Sequence, residues 1–356
     1  MRRTRCAPCS TTLCHSDVRA QTAIDCNTLN KTIRQPILLK TISVGIGFLI
    51  AAILVLTLNL VLDLRLDQKL YRVALLYGPS TPFHIHRIDP RLGQVHIPNT
   101  VGRHKTGQFD VIYTINADGN RHTPGTESGN PVVEILGDSF SFGHGVNDDE
   151  TYAAKLQQHW PIFSIKNRSV MGAGASHALL TLKQDLQSDP QPPVKMVIYG
   201  WMWFHNGRSF PGKEQLQAAL GNVAPYFEVI DGEPVYRRLL HIDDDLSFRP
   251  DNPEMVLEQE QVVIEALIKE MSQLCRERGI GFIVLMLPGK YDHRHDAAIA
   301  KLTPFLEKSA IEYINLHHDP AFPADSRDGL FIPYDQHPDS RWHQAVADAL
   351  AKRIRF

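Results

Sequence analysis

Hydrophobic and polar positions change their rhythm three times along the chain. From Thr41 to Leu62 runs an apolar stretch, ISVGIGFLIAAILVLTLNLVL after the threonine, without a charged residue. At about 1.5 Å per residue it is long enough to cross a hydrocarbon core roughly 30 Å thick. It predicts a transmembrane helix over 41–62, with a 1–40 arm before it. Residues 63–76 then read as a helical stalk. Short alternating runs follow, such as FDVIYTIN at 109–116, and with a turn at Asp118-Gly119 they predict a small β region that completes the segment 63–130. From Pro131 to the end, apolar runs of strand length (132–136, 163–167, 194–200, 281–287, 311–316) alternate with stretches of helical period (149–159, 176–186, 253–278, 295–308, 340–352). Buried strands separated by helices predict an α/β domain over 131–356, three-layered, with a mostly parallel sheet. The segment 201–252 carries Pro211-Gly212, Asp231-Gly232 and Asp243-Asp244-Asp245 and breaks the alternation, so it reads as an insert forming a lid or a substrate wall.

Charge changes this picture at the N-terminus. Arg2, Arg3, Arg5, Arg19, Lys31, Arg34 and Lys40 precede the apolar run against only Asp17 and Asp25. Such an excess stays on the cytoplasmic side, which places the bulk of the chain outside the cytoplasm behind a single-pass anchor. The arm is too long, and the exit Leu62-Asp63-Leu64-Arg65 too poor in small residues, for a cleaved signal peptide. With a net charge of −2 over 356 residues there is no basic field to attract phosphate backbones, and nucleic acid is not an expected partner. Cys6, Cys9, Cys14 and Cys26 all lie in the arm and only Cys275 follows, so the exported part is expected to fold without disulfides. Cys6-x-x-Cys9 with Cys14-His15, His84-x-His86 and His317-His318 are the candidate metal ligands; each set lacks a full complement, and no metal or cofactor is expected.

Two short motifs carry chemistry. The first strand of the α/β domain ends in Gly137-Asp138-Ser139-Phe140, which sets a serine at the C-terminal edge of the sheet, where open α/β sheets bind ligands. About two hundred residues later, Asp335-Gln336-His337-Pro338 precedes the last helix. A serine needs a base to take its proton, and the base needs an acid to hold its tautomer. An Asp and a His together supply both.

The GDS turn after the first strand and the Asp-x-His before the last helix resemble the SGNH/GDSL hydrolase family over roughly 131–356. The stretch from Asn116 to Arg121, followed by GDSFSFGHGV and Asp149-Glu150-Thr151, looks like its membrane-anchored bacterial members. The resemblance implies a flavodoxin-like sheet and a triad of Ser139, Asp335 and His337. The commoner family spacing has two residues between acid and base; here there is one, as in relatives that include alginate-type O-acetyltransferases, and Asp339 stands as an alternate acid. Asn167-Arg168-Ser169-Val170-Met171-Gly172-Ala173-Gly174 looks like the second family block. The N–H groups of Ser139 and Gly172 would then face the developing oxyanion, although the same glycines suit a tight strand-to-helix turn. The third block departs from the family pattern: Gly200-Trp201-Met202-Trp203 replaces Gly-x-Asn-Asp, leaving Asn206 as the candidate third donor. Trp201, Trp203 and Phe204 are candidates for stacking on sugar rings or for core packing. The expected function is a membrane-anchored serine esterase that removes acyl groups, acetyl in the first instance, from a glycan or lipid-linked substrate. An O-acyltransferase using the same acyl-enzyme, and a catalytically silent glycan-binding or scaffold protein, are the alternatives.

Overall fold

The computed structural model describes residues 47, 49–55, 57–58, 84–188, 192–219, 222–290 and 293–356. The chain divides into two units, Met1–Leu70 and Tyr71–Phe356. In the first unit the described residues, all within 47–58, are helical and exposed, among them Leu49, Ile50, Ile53, Leu54, Val55 and Leu58. The remainder of the apolar run, the Cys-bearing arm and the stalk lie outside the described residues. Among the described residues no helix is long and apolar enough to cross a membrane.

The second unit opens with two antiparallel hairpins, β1 (His86–Asp89) with β2 (Gly93–His96) and β3 (Thr100–Lys105) with β4 (Asp110–Ile115). These are the small β region. Isolated bridges from Arg121 to Ile115 and to Asn167 connect the second hairpin to the main domain.

Five strands form the central sheet: β5 (Val132–Leu136), β6 (Ser164–Asn167), β7 (Val194–Trp201), β10 (Gly281–Met286) and β11 (Glu312–Asn315), in the spatial order β11-β10-β7-β5-β6 with every pairing parallel. Numbered as they occur along the chain, these strands lie 2-1-3-4-5, the flavodoxin-like order, with its switch point beside β5. Alternation along each strand builds two cores. Val132 and Leu136 of β5, with Phe282, Val284 and Met286 of β10, face α3 (Ala175–Asp185), α6 (Pro253–Glu277) and α7 (His293–Lys308). Val133 and Ile135, with Ile283 and Leu285, face α2 (Tyr152–His159) and α8 (Ser340–Arg353). A parallel sheet apolar on both faces requires both covers, so the three layers follow from the period-2 pattern.

The insert contains α4 (His205–Ser209), α5 (Lys213–Ala218) and a hairpin of β8 (Val223–Ile230) and β9 (Glu233–His241), joined by the two-residue turn Asp231-Gly232. Phe210, Leu216, Tyr226, Phe227 and Leu240 are buried in the same core as α3 and α6. The insert is therefore fixed into the body of the domain as a wall, instead of lying free over it.

Candidate active site

Leaving β5, the chain turns at once into the one-turn helix α1 (Ser139–Phe142), capped by Asp138, whose carboxylate accepts the Phe140 N–H at 3.0 Å. Gly137 is obligatory here, because a Cβ at that position would overlap the Ser141 side chain. Ser141 is itself held by a 2.8 Å bond from Tyr152 Oη. The nucleophile candidate thus sits at the carboxyl end of the central strand, on a turn pinned from three directions. Asp138 is fully buried; its carboxylate accepts from Arg208 Nη1 at 2.9 Å and lies 3.5 Å from His205 Nε2. Burial would raise this carboxyl, but the neighbouring His205 imidazole, the Arg208 guanidinium and the Phe140 N–H prevail and bring it down to about 2.

The opposite side of the site is the loop 331–339. Asp335 and His337 flank Gln336, whose φ of +74° turns the chain so that His337 Nδ1 meets Asp335 Oδ1 at 2.6 Å. His337 Nε2 lies 2.9 Å from Ser139 Oγ. The three predicted residues, 198 positions apart at their extremes by the Ser139 to His337 separation, therefore form one continuous hydrogen-bonded line. Burial pushes the Asp335 carboxyl up, but the His144 imidazole beside it and the hydrogen bond to His337 outweigh it and hold the group well below the ordinary carboxylate range. Asp335 is ionised at neutral pH and positioned to fix the His337 tautomer. Asp339, the alternate acid, is committed elsewhere: it is the N-cap of α8, accepting from the Arg341 and Trp342 N–H groups and pairing with the Arg341 side chain.

Gly172 adopts φ +78°, a conformation glycine reaches without steric cost, on the loop after β6. Neither its N–H nor that of Ser139 is taken by another backbone group among the described residues. Arg208 connects the two loops, for the same Nη1 that binds Asp138 also reaches Ala173 O at 3.2 Å. Asn206 does not supply the expected third donor. Its Oδ1 accepts from Trp201 Nε1 at 3.3 Å and its Nδ2 donates to Gln261 at 3.4 Å, so the amide is spent on the wall of the neighbouring cavity. Trp201 is fully buried in the core and is no sugar platform. Trp203 and Phe204, half-buried, do line a cavity of about 470 Å³ that begins at Gly172 and Arg208 and extends to Arg294 and Lys301 on α7.

Four contributors escaped the sequence reading: His144, Arg121, His205 and Arg208. All stand within or beside motifs that were singled out, but the contacts that bring them to the site reach across the chain, as from Arg208 to Asp138 and from His144 to Asp335, so only the fold discloses them. Arg121 is fully buried and donates to the carbonyls of Phe142, Gly143 and Val146, at 2.6, 2.5 and 2.7 Å, with its guanidinium between the Tyr113 and Phe142 rings. Among the described residues two groups bring three potential metal ligands together: His144, Asp335 and His337, and Asp296, His317 and His318. Neither contains His84 or His86. In the second group the Arg327 guanidinium stands 3.0 Å from His317 Nδ1, a fixed positive charge that disfavours a cation there.

No family model matches the chain, and no curated protein matches it. Solved structures similar to it include a member of the lipolytic protein G-D-S-L family from Veillonella parvula DSM 2008 (10% identity, 63% of this chain and 97% of that one, TM-score 0.40). They also include an acetylxylan esterase from Geobacillus stearothermophilus (13%, 64% and 96%, TM-score 0.40) and a psychrotrophic esterase from Pseudoalteromonas sp. (16%, 63% and 98%, TM-score 0.38). What ties the chain to the SGNH/GDSL resemblance is its own geometry, a GDS serine on the first strand of a 2-1-3-4-5 parallel sheet in line with a late Asp-x-His pair.

Proposed function

We propose that the chain is a serine esterase of the SGNH/GDSL type, acting through an acyl-Ser139 intermediate. The observation that carries this reading is the line Asp335 to His337 to Ser139, closed at 2.6 and 2.9 Å. His337 Nε2 takes the Ser139 proton as Oγ attacks the ester carbonyl, and Asp335 holds the imidazole in the tautomer that can accept it. The negative oxygen of the tetrahedral intermediate faces the Ser139 and Gly172 N–H groups. Collapse breaks the ester bond, the alcohol leaves with the proton from His337, and a water activated by the same imidazole releases the acid and restores the serine.

An acyl group, acetyl in the first instance, on a glycan or lipid-linked alcohol is the proposed substrate. The cavity beside Gly172 supports a bulky alcohol portion, with Trp203 as an apolar face and Arg208, Gln261 and Arg294 as polar ones. The same cavity supports the second reading, an O-acyltransferase in which a sugar hydroxyl seated there replaces water. The apolar run 41–62 and the basic excess before it support an inner-membrane anchor with the catalytic domain in the periplasm. That part is tested by fractionation: the chain is expected to stay with membranes after alkaline carbonate washing, and release into the wash would overturn the anchor.

Activity is tested on the full-length chain in detergent with p-nitrophenyl acetate and a fluorophosphonate label, comparing wild type with Ser139→Ala and His337→Ala. Loss of roughly a thousandfold or more in both variants, with labelling of the wild type alone, is the expected result. Equal slow hydrolysis by all three proteins, with no labelling, would sink the esterase reading.

A further inference from the structure

One histidine touches the triad without a task in the mechanism. His144 follows the nucleophile's own helix, and its ring lies on that of His337, with centroids 4.1 Å apart and planes 34° from parallel. Its Nε2 stands 3.6 Å from Asp335 Oδ2, the carboxylate oxygen that His337 leaves open. We propose that His144 is a positioning residue that holds the acid and the base of the triad in register, one contact to each. The inference rests on the serine-hydrolase reading above and adds to it a residue that the triad pattern does not contain.

Two observations carry it. The first is that the loop bearing Asp335 is strained on both sides of the acid. Tyr334 and Gln336, on either side of it, have φ of +63° and +74°, and non-glycine residues in that region cost on the order of 1 kcal/mol each. A loop under such strain needs side-chain anchors to keep a carboxylate within hydrogen-bond range of an imidazole, and here an anchor arrives from another part of the chain. The second is that His144 is itself held from several sides. Its ring meets those of His104 and Phe109 edge-on at 5.1 and 5.4 Å. The next N–H, of Gly145, donates to Tyr113 Oη at 2.9 Å, and the preceding carbonyls are clamped by Arg121. His144 thereby transmits the rigidity of the small β region to the catalytic loop.

The charge state fits this task. The titratable and charged groups that act on His144 are Asp335, His337, His104 and Arg121. Burial, reinforced by the positive charge that His337 acquires and partly offset by Asp335, lowers His144 to about 4. It is therefore neutral at neutral pH, able to donate to Asp335 and to lie against an imidazolium without opposing it.

The test compares full-length wild type, His144→Ala, His144→Gln and His337→Ala by steady-state kinetics on p-nitrophenyl acetate, fluorophosphonate labelling rate, pH–rate profile and thermal melting. His144→Ala is expected to lower kcat and the labelling rate by roughly tenfold or more, as loss of a group that orients a functional side chain does, with KM changed less than about twofold. The acid limb of its pH–rate profile is expected to move, because the donor to Asp335 is gone. His144→Gln, whose amide can still donate to Asp335, is expected to recover part of the loss. If the alanine variant does not fold, His144→Leu, which also lacks a donor, decides, and wild-type kcat, labelling rate and pH–rate profile in that variant would overturn the inference. So would wild-type kcat and labelling in the alanine variant. Failure of the wild type itself to label or turn over would instead remove the hydrolase reading, a result distinct from unchanged kinetics in an active enzyme.

Discussion

At the residue scale, the candidate triad was legible because its residue types are tied to local signals. A serine on a strand-leaving turn and an Asp-x-His before a helix each carry their own context, and the fold needed only to bring them within 2.9 Å. Asn206 shows the opposite case. Sequence spacing from the end of β7 put it near the oxyanion region, but a side-chain amide four or five residues into a loop points wherever the best partners lie, and Trp201 and Gln261 claim it. The choice between Asp335 and Asp339 also turned on geometry, since both lie two residues from His337. Asp335→Asn should lower kcat by about three to four orders of magnitude with the fold retained, the cost of the wrong imidazole tautomer. Asp339→Ala should leave kcat unchanged and lower stability by about 1 kcal/mol, the cost of a lost N-cap. Kinetics and thermal melting on the pair check both statements, and a catalytic defect in Asp339→Ala would reverse the assignment.

At the scale of elements, the strand and helix boundaries read from periodicity agree with the structure within a few residues, because a parallel sheet buried on both faces leaves a dense apolar signal. The order of the strands along the sheet edge has no such local record. The small β region was visible as a pattern of alternating residues and a turn, but its purpose was not. Arg121, at the end of that region, spends its donors on the carbonyls of the loop after α1, while His104, bonded to Tyr113, packs edge-on against His144. This region therefore touches the candidate active site directly. The insert 201–252 was expected as a lid or a wall from its length and turn residues. Its buried Phe210, Tyr226 and Phe227 make it a wall, which the alternating pattern of β8 and β9 could not distinguish without knowing which helix covers them.

At the scale of the whole molecule, the distribution of histidines sets a common response to acid. The chain has 17 of them, and several are buried far from any role in the triad. Burial lowers His86, His177 and His317 to about 4 and His104 and His343 to about 3, with His144 also near 4. In the unfolded chain the same groups titrate near 6.5. Between about pH 6.5 and 4 the unfolded state therefore binds more protons than the folded one, and stability rises with pH across that window. The stabilisation conferred by keeping these imidazoles neutral is complete above 6.5 and declines as the pH falls below it, on the order of 1 kcal/mol per group by pH 5. The depressed carboxyls of Asp138 and Asp335 act in the same direction but at lower pH: their contribution is complete above about 4 and is lost only as the pH falls further. The melting temperature of the full-length chain is thus expected to change little between pH 9 and 7 and to fall by roughly 10 °C or more between pH 7 and 5, since each kcal/mol moves a domain of this size by a few degrees. Scanning calorimetry across that range checks it. A melting temperature at pH 5 equal to or above that at pH 7 would mean that the buried imidazoles do not stay neutral in the folded state, and would withdraw the neutral His144 on which its contact with a protonated His337 depends.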